Sequence, residues 1–161
     1  MKLLQAIRFD ASDERVYEHA AEPGEWAVSG AFAFADLPRE AITGKTRQAF
    51  ANGFLGVTSF GRSTFAAVAE ISAEERQAVA RALARHFLER YGAPSEAEAL
   101  AAAEEELAFV EDLCAEQPIN IVFTVRRTLP AEGGIREEFR VIAAPRERPH
   151  ARVWDVAEGD E

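Results

Sequence analysis

Hydrophobic and polar positions alternate in two distinct rhythms along this chain, and the rhythms predict its elements. From Lys2 to Phe9, Leu3, Gln5, Ile7 and Phe9 fall on one side of a two-residue repeat, the pattern of a strand. A turn at Asp10–Asp13 follows, then a short extended piece around Val16 and Tyr17 and a turn at Pro23-Gly24. Glu25 to Ala35 reads as the clearest strand, with Trp26, Val28, Gly30, Phe32 and Phe34 on one face and small residues on the other. Leu37-Pro38 leads into an expected helix of about 15 residues carrying Ile42, Thr46, Ala49 and Phe50 on one stripe and ending at Gly53. Phe54–Phe60 and Ser63–Ile71 read as the arms of a hairpin around Gly61-Arg62.

The second half is dominated by helical periodicity. Ser72 with Glu75, and Ser95 with Glu98, have the spacing of helix-starting capping boxes. The first helix carries Val79, Leu83, Phe87 and Tyr91 on one stripe and stops at Gly92-Ala93-Pro94. The second carries Leu100, Ala103, Leu107, Val110 and Cys114 and is broken by Pro118. Ile119, Ile121, Phe123 and Val125 then alternate on a strand, and Glu132-Gly133-Gly134 turns the chain into a last strand with Ile135, Phe139 and Val141. The order predicts an α+β fold, an antiparallel sheet of about six strands with three helices mainly packed on one side. Residues 1–144 read as a single domain, and 145–161 as a Pro-, Arg- and acid-rich tail, expected to be mobile, with an apolar island at Val153–Val156.

Charge sharpens this picture. The segment Ser95–Gln117 holds eight carboxylates and no basic residue, within a chain of net charge −10. That balance disfavours binding to phosphate backbones, so nucleic acid is not an expected partner. Late arginines (Arg126, Arg127, Arg136, Arg140, Arg146, Arg148, Arg152) are interleaved with Glu132, Glu137, Glu138 and Glu147, which reads as solvated ion pairing across a sheet face. Cys114 is the only cysteine, which excludes an internal disulfide and a cysteine-based zinc site. The N-terminus lacks the apolar core of a signal peptide, and no apolar run approaches the ~20 residues of a membrane span. A cytoplasmic protein, without a membrane partner, is the expectation.

Few residues of the chain carry a recognisable chemistry. Gly44-Lys45-Thr46 matches the end of a phosphate-binding loop, but Arg39 stands where that loop needs its first glycine, and the three residues fall inside the expected helix. His19, His86 and His150 share no ligand spacing, and there is no Asp-rich calcium loop, so neither metal nor cofactor is expected. Cys114 lies on an apolar stripe and reads as a buried inert thiol, and His86 as a half-buried packing residue. Trp26 reads as core; for Trp154 packing and an interaction role both stay open, since its surroundings look too polar to bury it unaided.

The run Ala20-Ala21-Glu22-Pro23-Gly24-Glu25-Trp26-Ala27-Val28-Ser29-Gly30-Ala31-Phe32 and on to Phe34 resembles the hallmark of an uncharacterised family of small alphaproteobacterial proteins, a domain of unknown function. Met1–Leu4, Arg8-x-Asp10-x-Ser12-Asp13, Gly53–Gly56 followed by Ser63-Thr64, Arg90–Pro94 and Arg136–Arg140 fit the same family. The resemblance supplies no catalytic residue. It does imply a genetic neighbourhood with a lipoate- or biotin-ligase-like protein and accessory genes of molybdenum-dependent formate dehydrogenases. An accessory role in assembling or regulating a redox enzyme follows as its expectation, with a formate-dehydrogenase-related or lipoate-ligase-like protein as partner.

The sequence therefore favours a non-enzymatic accessory or protein-interaction domain whose partner carries a basic surface. Glu104, Glu105, Asp112 and Trp154 are the candidate interaction residues. Two other readings stay open: a small-ligand binder or minor enzyme with a pocket between sheet and helices, and a homodimer formed by sheet or helix pairing.

Overall fold

In a computed structural model of the chain, residues 1–142 are described. They form an α+β arrangement of seven strands, four α-helices and two short 3-10 turns. The strands are β1 (Lys2–Ile7), β2 (Trp26–Val28), β3 (Phe54–Gly56), β4 (Arg62–Ser63), β5 (Phe65–Glu70), β6 (Val122–Thr128) and β7 (Arg136–Ile142). They make one sheet in the order β4-β3-β2-β1-β5-β6-β7, with every neighbouring pair antiparallel. The helices are α1 (Ser12–Val16), α2 (Gly44–Asn52), α3 (Ala73–Arg90) and α4 (Glu96–Cys114). The sheet curls: the rings of Phe54 on β3 and Phe139 on β7, far apart in strand order, lie 6.3 Å apart. Strand and helix numbers differ slightly from the expected six and three.

Helices α3 and α4 begin where their caps predict. Ser72 Oγ accepts the Glu75 amide and Ser95 Oγ the Glu98 amide, each at 3.1 Å, filling one of the donors that a helix start leaves unpaired. Val79, Leu83 and Phe87 of α3 pack against Ala99, Ala103, Leu107, Val110 and Cys114 of α4, and α4 lies on β1 and β2. The buried stripe of α4 starts from Ala99; Leu100, expected there, is 42% exposed. Ala99 is the residue one full turn before Ala103 on the same face, and its lack of bulk lets α3 approach.

The N-terminal half departs further from the pattern. The piece around Val16 is helical (α1), not extended. The strand expected over Glu25–Ala35 ends at Val28, because Gly30 takes φ +79° and turns the chain into the first 3-10 turn, Ala31–Phe34. A Cβ at Gly30 would stand 2.5 Å from Leu55 Cβ, so both the turn and the close approach require glycine. There is accordingly no small-residue sheet face. Trp26 is only partly buried, packed at the edge of the core.

The helix expected after Pro38 is split into a 3-10 turn, Arg39–Ala41, and α2, because Thr43 is extended. Gly44-Lys45-Thr46 thus opens α2 instead of sitting inside it. The hairpin anticipated between residues 54 and 71 is cut short, to Phe54–Gly56 against Arg62–Ser63. Beyond it, β5 pairs with β1. The cause is Glu25, whose carboxylate accepts the amides of Thr58 (2.8 Å) and Ser59 (2.9 Å) and ends β3 in a loop. In β6 the strand begins at Val122, after a turn in which Asn120 has φ +75°, and Ile119 is exposed. The last hairpin matches expectation, with Gly133 and Gly134 at positive φ between β6 and β7. The tail from 145, with Trp154, His150 and Arg146, Arg148 and Arg152, lies outside the described residues.

Candidate functional site

Helix α4 presents three faces, and they divide its carboxylates. The buried stripe faces α3 and the sheet. On one flank Glu104 and Glu111 converge on Arg76 of α3, both at 2.8 Å, and hold its guanidinium pKa above its usual value. On the other flank Glu98, Glu105, Glu106 and Phe109 recur at helical spacing and line an open cleft of about 660 Å³. Asp112 is exposed and borders a separate depression with Met1, Lys2 and Glu70. Of the residues the sequence nominated, Glu105 alone lines the cleft; Glu104 is engaged by Arg76, and Asp112 lies elsewhere.

The wall opposite α4 is aromatic. Phe32, carried in by the 3-10 turn after Gly30, packs edge-on against Phe87 (4.7 Å) and Tyr91 (5.3 Å) from the end of α3. Asp36 adds a carboxylate on this side, and Ser29 and Glu137 also line the cleft. The lining thus combines five carboxylates with four aromatic rings and, among the described residues, includes no basic side chain.

Glu137 is held from behind. Arg127 Nε donates to its Oε2 at 2.8 Å, and Ser29 Oγ donates to the same oxygen. Arg127, expected to be solvated, has a side chain 0% exposed. Its Nη1 also donates to the carbonyls of Phe50 (2.8 Å) and Gly53 (3.0 Å), groups that the end of α2 leaves without helical partners. Its Nη2 donates to the Ser29 carbonyl. Arg62 joins the same cluster, donating to Gly53 O at 3.1 Å and Gly30 O at 3.2 Å with its guanidinium 4.7 Å over the Phe34 ring. Burial, and then the neighbouring Arg127 charge, pull the Arg62 pKa down to about 9. Burial likewise lowers that of Arg127, with Glu137 opposing.

Glu106, like Glu105 beside it, lacks such support among the described residues. Burial, and next the charge of Glu137, raise its pKa. Neighbouring carboxylates with opposite treatment, one bound to a guanidinium and one desolvated, make the cleft attractive to cations. Among the described residues no three His, Cys, Asp or Glu side chains converge as a metal-binding group. The Cys114 thiol is buried and pushed up to about 11, mainly by desolvation. His86 stacks on Phe60 with ring centres 3.7 Å apart, and burial lowers its pKa.

The fold and cleft define a small α+β protein with an acidic, aromatic surface recess. Residues 1–153 match the model of a family of unknown function, DUF6505, and the chain belongs to that family. No curated protein matches the chain, and no solved structure matches it. Among the described residues no helix is long and apolar enough to cross a membrane.

Ser29, Phe32, Asp36, Glu98, Glu106, Phe109 and Glu137 are among the cleft residues that sequence reasoning missed. For α4 a signal was present: Glu98, Ala102, Glu105, Glu106 and Phe109 share a helical face distinct from the buried stripe. For Ser29 and Phe32 there was none, since an uninterrupted strand would have placed them on opposite sides.

Proposed function

We propose that this protein is a binding domain that takes a basic segment of a partner protein in the cleft between α4 and Phe32. One observation carries the reading: carboxylates from α4, β7 and the 36–37 loop and a wall of edge-packed aromatic rings line the same open recess, and among the described residues only Glu137 of these carboxylates has a guanidinium partner. Lysine and arginine side chains are bound by this combination, through the faces of aromatic rings and charge-assisted hydrogen bonds to carboxylates. In this reading the interaction surface is centred on Glu105 with Glu98 and Glu106. The narrower role, assisting the assembly or regulation of a redox enzyme in the cytoplasm, rests on family resemblance; it names a formate-dehydrogenase-related or lipoate-ligase-like protein as the partner to try first.

Titration calorimetry of the full chain with an arginine-rich peptide, at low and moderate salt, tests the reading. Binding is expected that weakens with salt and is lost in E98Q/E105Q/E106Q. It is expected to persist in E104Q/D112N/E116Q, which removes as much charge away from the cleft. Equal loss in both variants, or no binding by the unaltered chain, would overturn it. Spermidine in place of the peptide tests the alternative of a small cationic ligand, for which the cleft volume is adequate.

A further inference from the structure

The two edges of the sheet are treated differently. Beyond β4, residues 19–21 run alongside as a short parallel segment: Ala20 bridges Arg62, with the Ala21 amide on Arg62 O at 2.8 Å and the Arg62 amide on His19 O at 2.9 Å. Beyond β7, among the described residues, nothing pairs. This outer edge is seven residues long, has no proline, and includes Val141 at 44% exposure. A strand of that length with a free edge is a ready template for another strand.

We propose that β7 pairs with β7 of a second copy of this chain, antiparallel and about a two-fold axis through Phe139. The sequence of the strand selects both occupant and register. Centred on Phe139, Glu138 stands opposite the partner's Arg140 and Arg140 opposite the partner's Glu138, giving two ion pairs by symmetry. Moving the axis by one residue sets Glu138 against Glu138, or Arg140 against Arg140, in either case like charge on like charge. Within one copy Glu138 already stands opposite Arg126 of β6, so the Phe139-centred pairing extends an alternating row of charge, Arg126–Glu138–Arg140, across the axis. On the opposite face the partner's Val141 falls beside Glu137, so the cleft of each copy ends at the two-fold axis. The pairing borders the cleft at Glu137, but the argument for it does not rest on what the cleft binds.

Sedimentation equilibrium of the full chain over a concentration series provides the test. A dimer is expected for the unaltered chain. R140E faces Thr124 within its own copy and disturbs no internal ion pair, yet it is expected to weaken association on the order of tenfold or more, and E138R likewise. The double exchange E138R/R140E restores opposite charges across the axis and is expected to recover the dimer. A monomer mass for the unaltered chain at every concentration would overturn the pairing. So would a dimer that tolerates both single changes, or a double exchange that stays monomeric while thermal unfolding shows it folded.

Discussion

Arg62 of β4 and Arg127 of β6 donate to one and the same acceptor, the carbonyl oxygen of Gly53, at 3.1 and 3.0 Å. Two guanidiniums sharing an oxygen repel each other, and only Glu137 pairs with either as a salt bridge among the described residues. The arrangement holds because carbonyls at the end of α2 and at Ser29 and Gly30 surround the pair with acceptors.

Arg127→Leu is therefore expected to destabilise the protein by about 3–5 kcal/mol, since it leaves buried carbonyls without their donor and half-buried Glu137, still held by Ser29, without its counter-charge. Adding Glu137→Gln to that variant is expected to recover part of the loss, because the uncompensated charge is gone. Urea denaturation of both variants measures the difference; no recovery would mean that the carbonyls, not the carboxylate, dominate.

Gly30→Ala combines a strained backbone with a collision against Leu55 and the Arg62 guanidinium. A loss of roughly 2 kcal/mol or more is expected, read as a lowered thermal midpoint. Gly24 has φ +93° but open space around it, so Gly24→Ala is expected to lose only the conformational part, about 1 kcal/mol. Equal losses at the two positions would contradict the close packing around Gly30.

Glu106 has its pKa raised in the folded state, so the folded chain retains this proton at pH values where the unfolded chain has released it. Its contribution is favourable below the ordinary carboxylate range and is lost as pH rises through the folded value. Glu106→Gln is thus expected to stabilise the protein at neutral pH and to have little effect near pH 4. Melting curves of both forms at the two pH values decide; a stabilisation independent of pH would point to another cause.

Local patterns were legible in the sequence wherever one helix or one hairpin decided the outcome. Ser72 and Ser95 marked helix starts, Cys114 marked a buried position, and the glycine pair marked the last turn. The failures share a cause. Arg127 read as solvated and Arg62 as a turn residue because burying a guanidinium requires acceptors, and theirs come from residues remote in sequence. Phe32 and Phe34 read as strand positions because their alternation continues past Gly30, whose left-handed turn alone sends one to α3 and the other to Phe50. On α4 the eight acidic residues of Ser95–Gln117 looked like one charged face; Arg76 on the neighbouring helix separates Glu104 and Glu111 from the cleft.

The hydrogen bonds of Arg127 reach back 77 residues to Phe50 and 98 to Ser29. During synthesis the ribosome delivers Ser29, α2, Gly53 and Arg62 long before Arg127 emerges. Throughout that interval the end of α2 lacks its main donor, and Arg62 has no completed cluster in which to bury. Loop closure over such distances is slow, so the nascent N-terminal half waits for the final hairpin before it can lock. The C-terminal strands are consequently the step that commits this chain to its fold, and chaperone protection matters most just before they leave the exit tunnel.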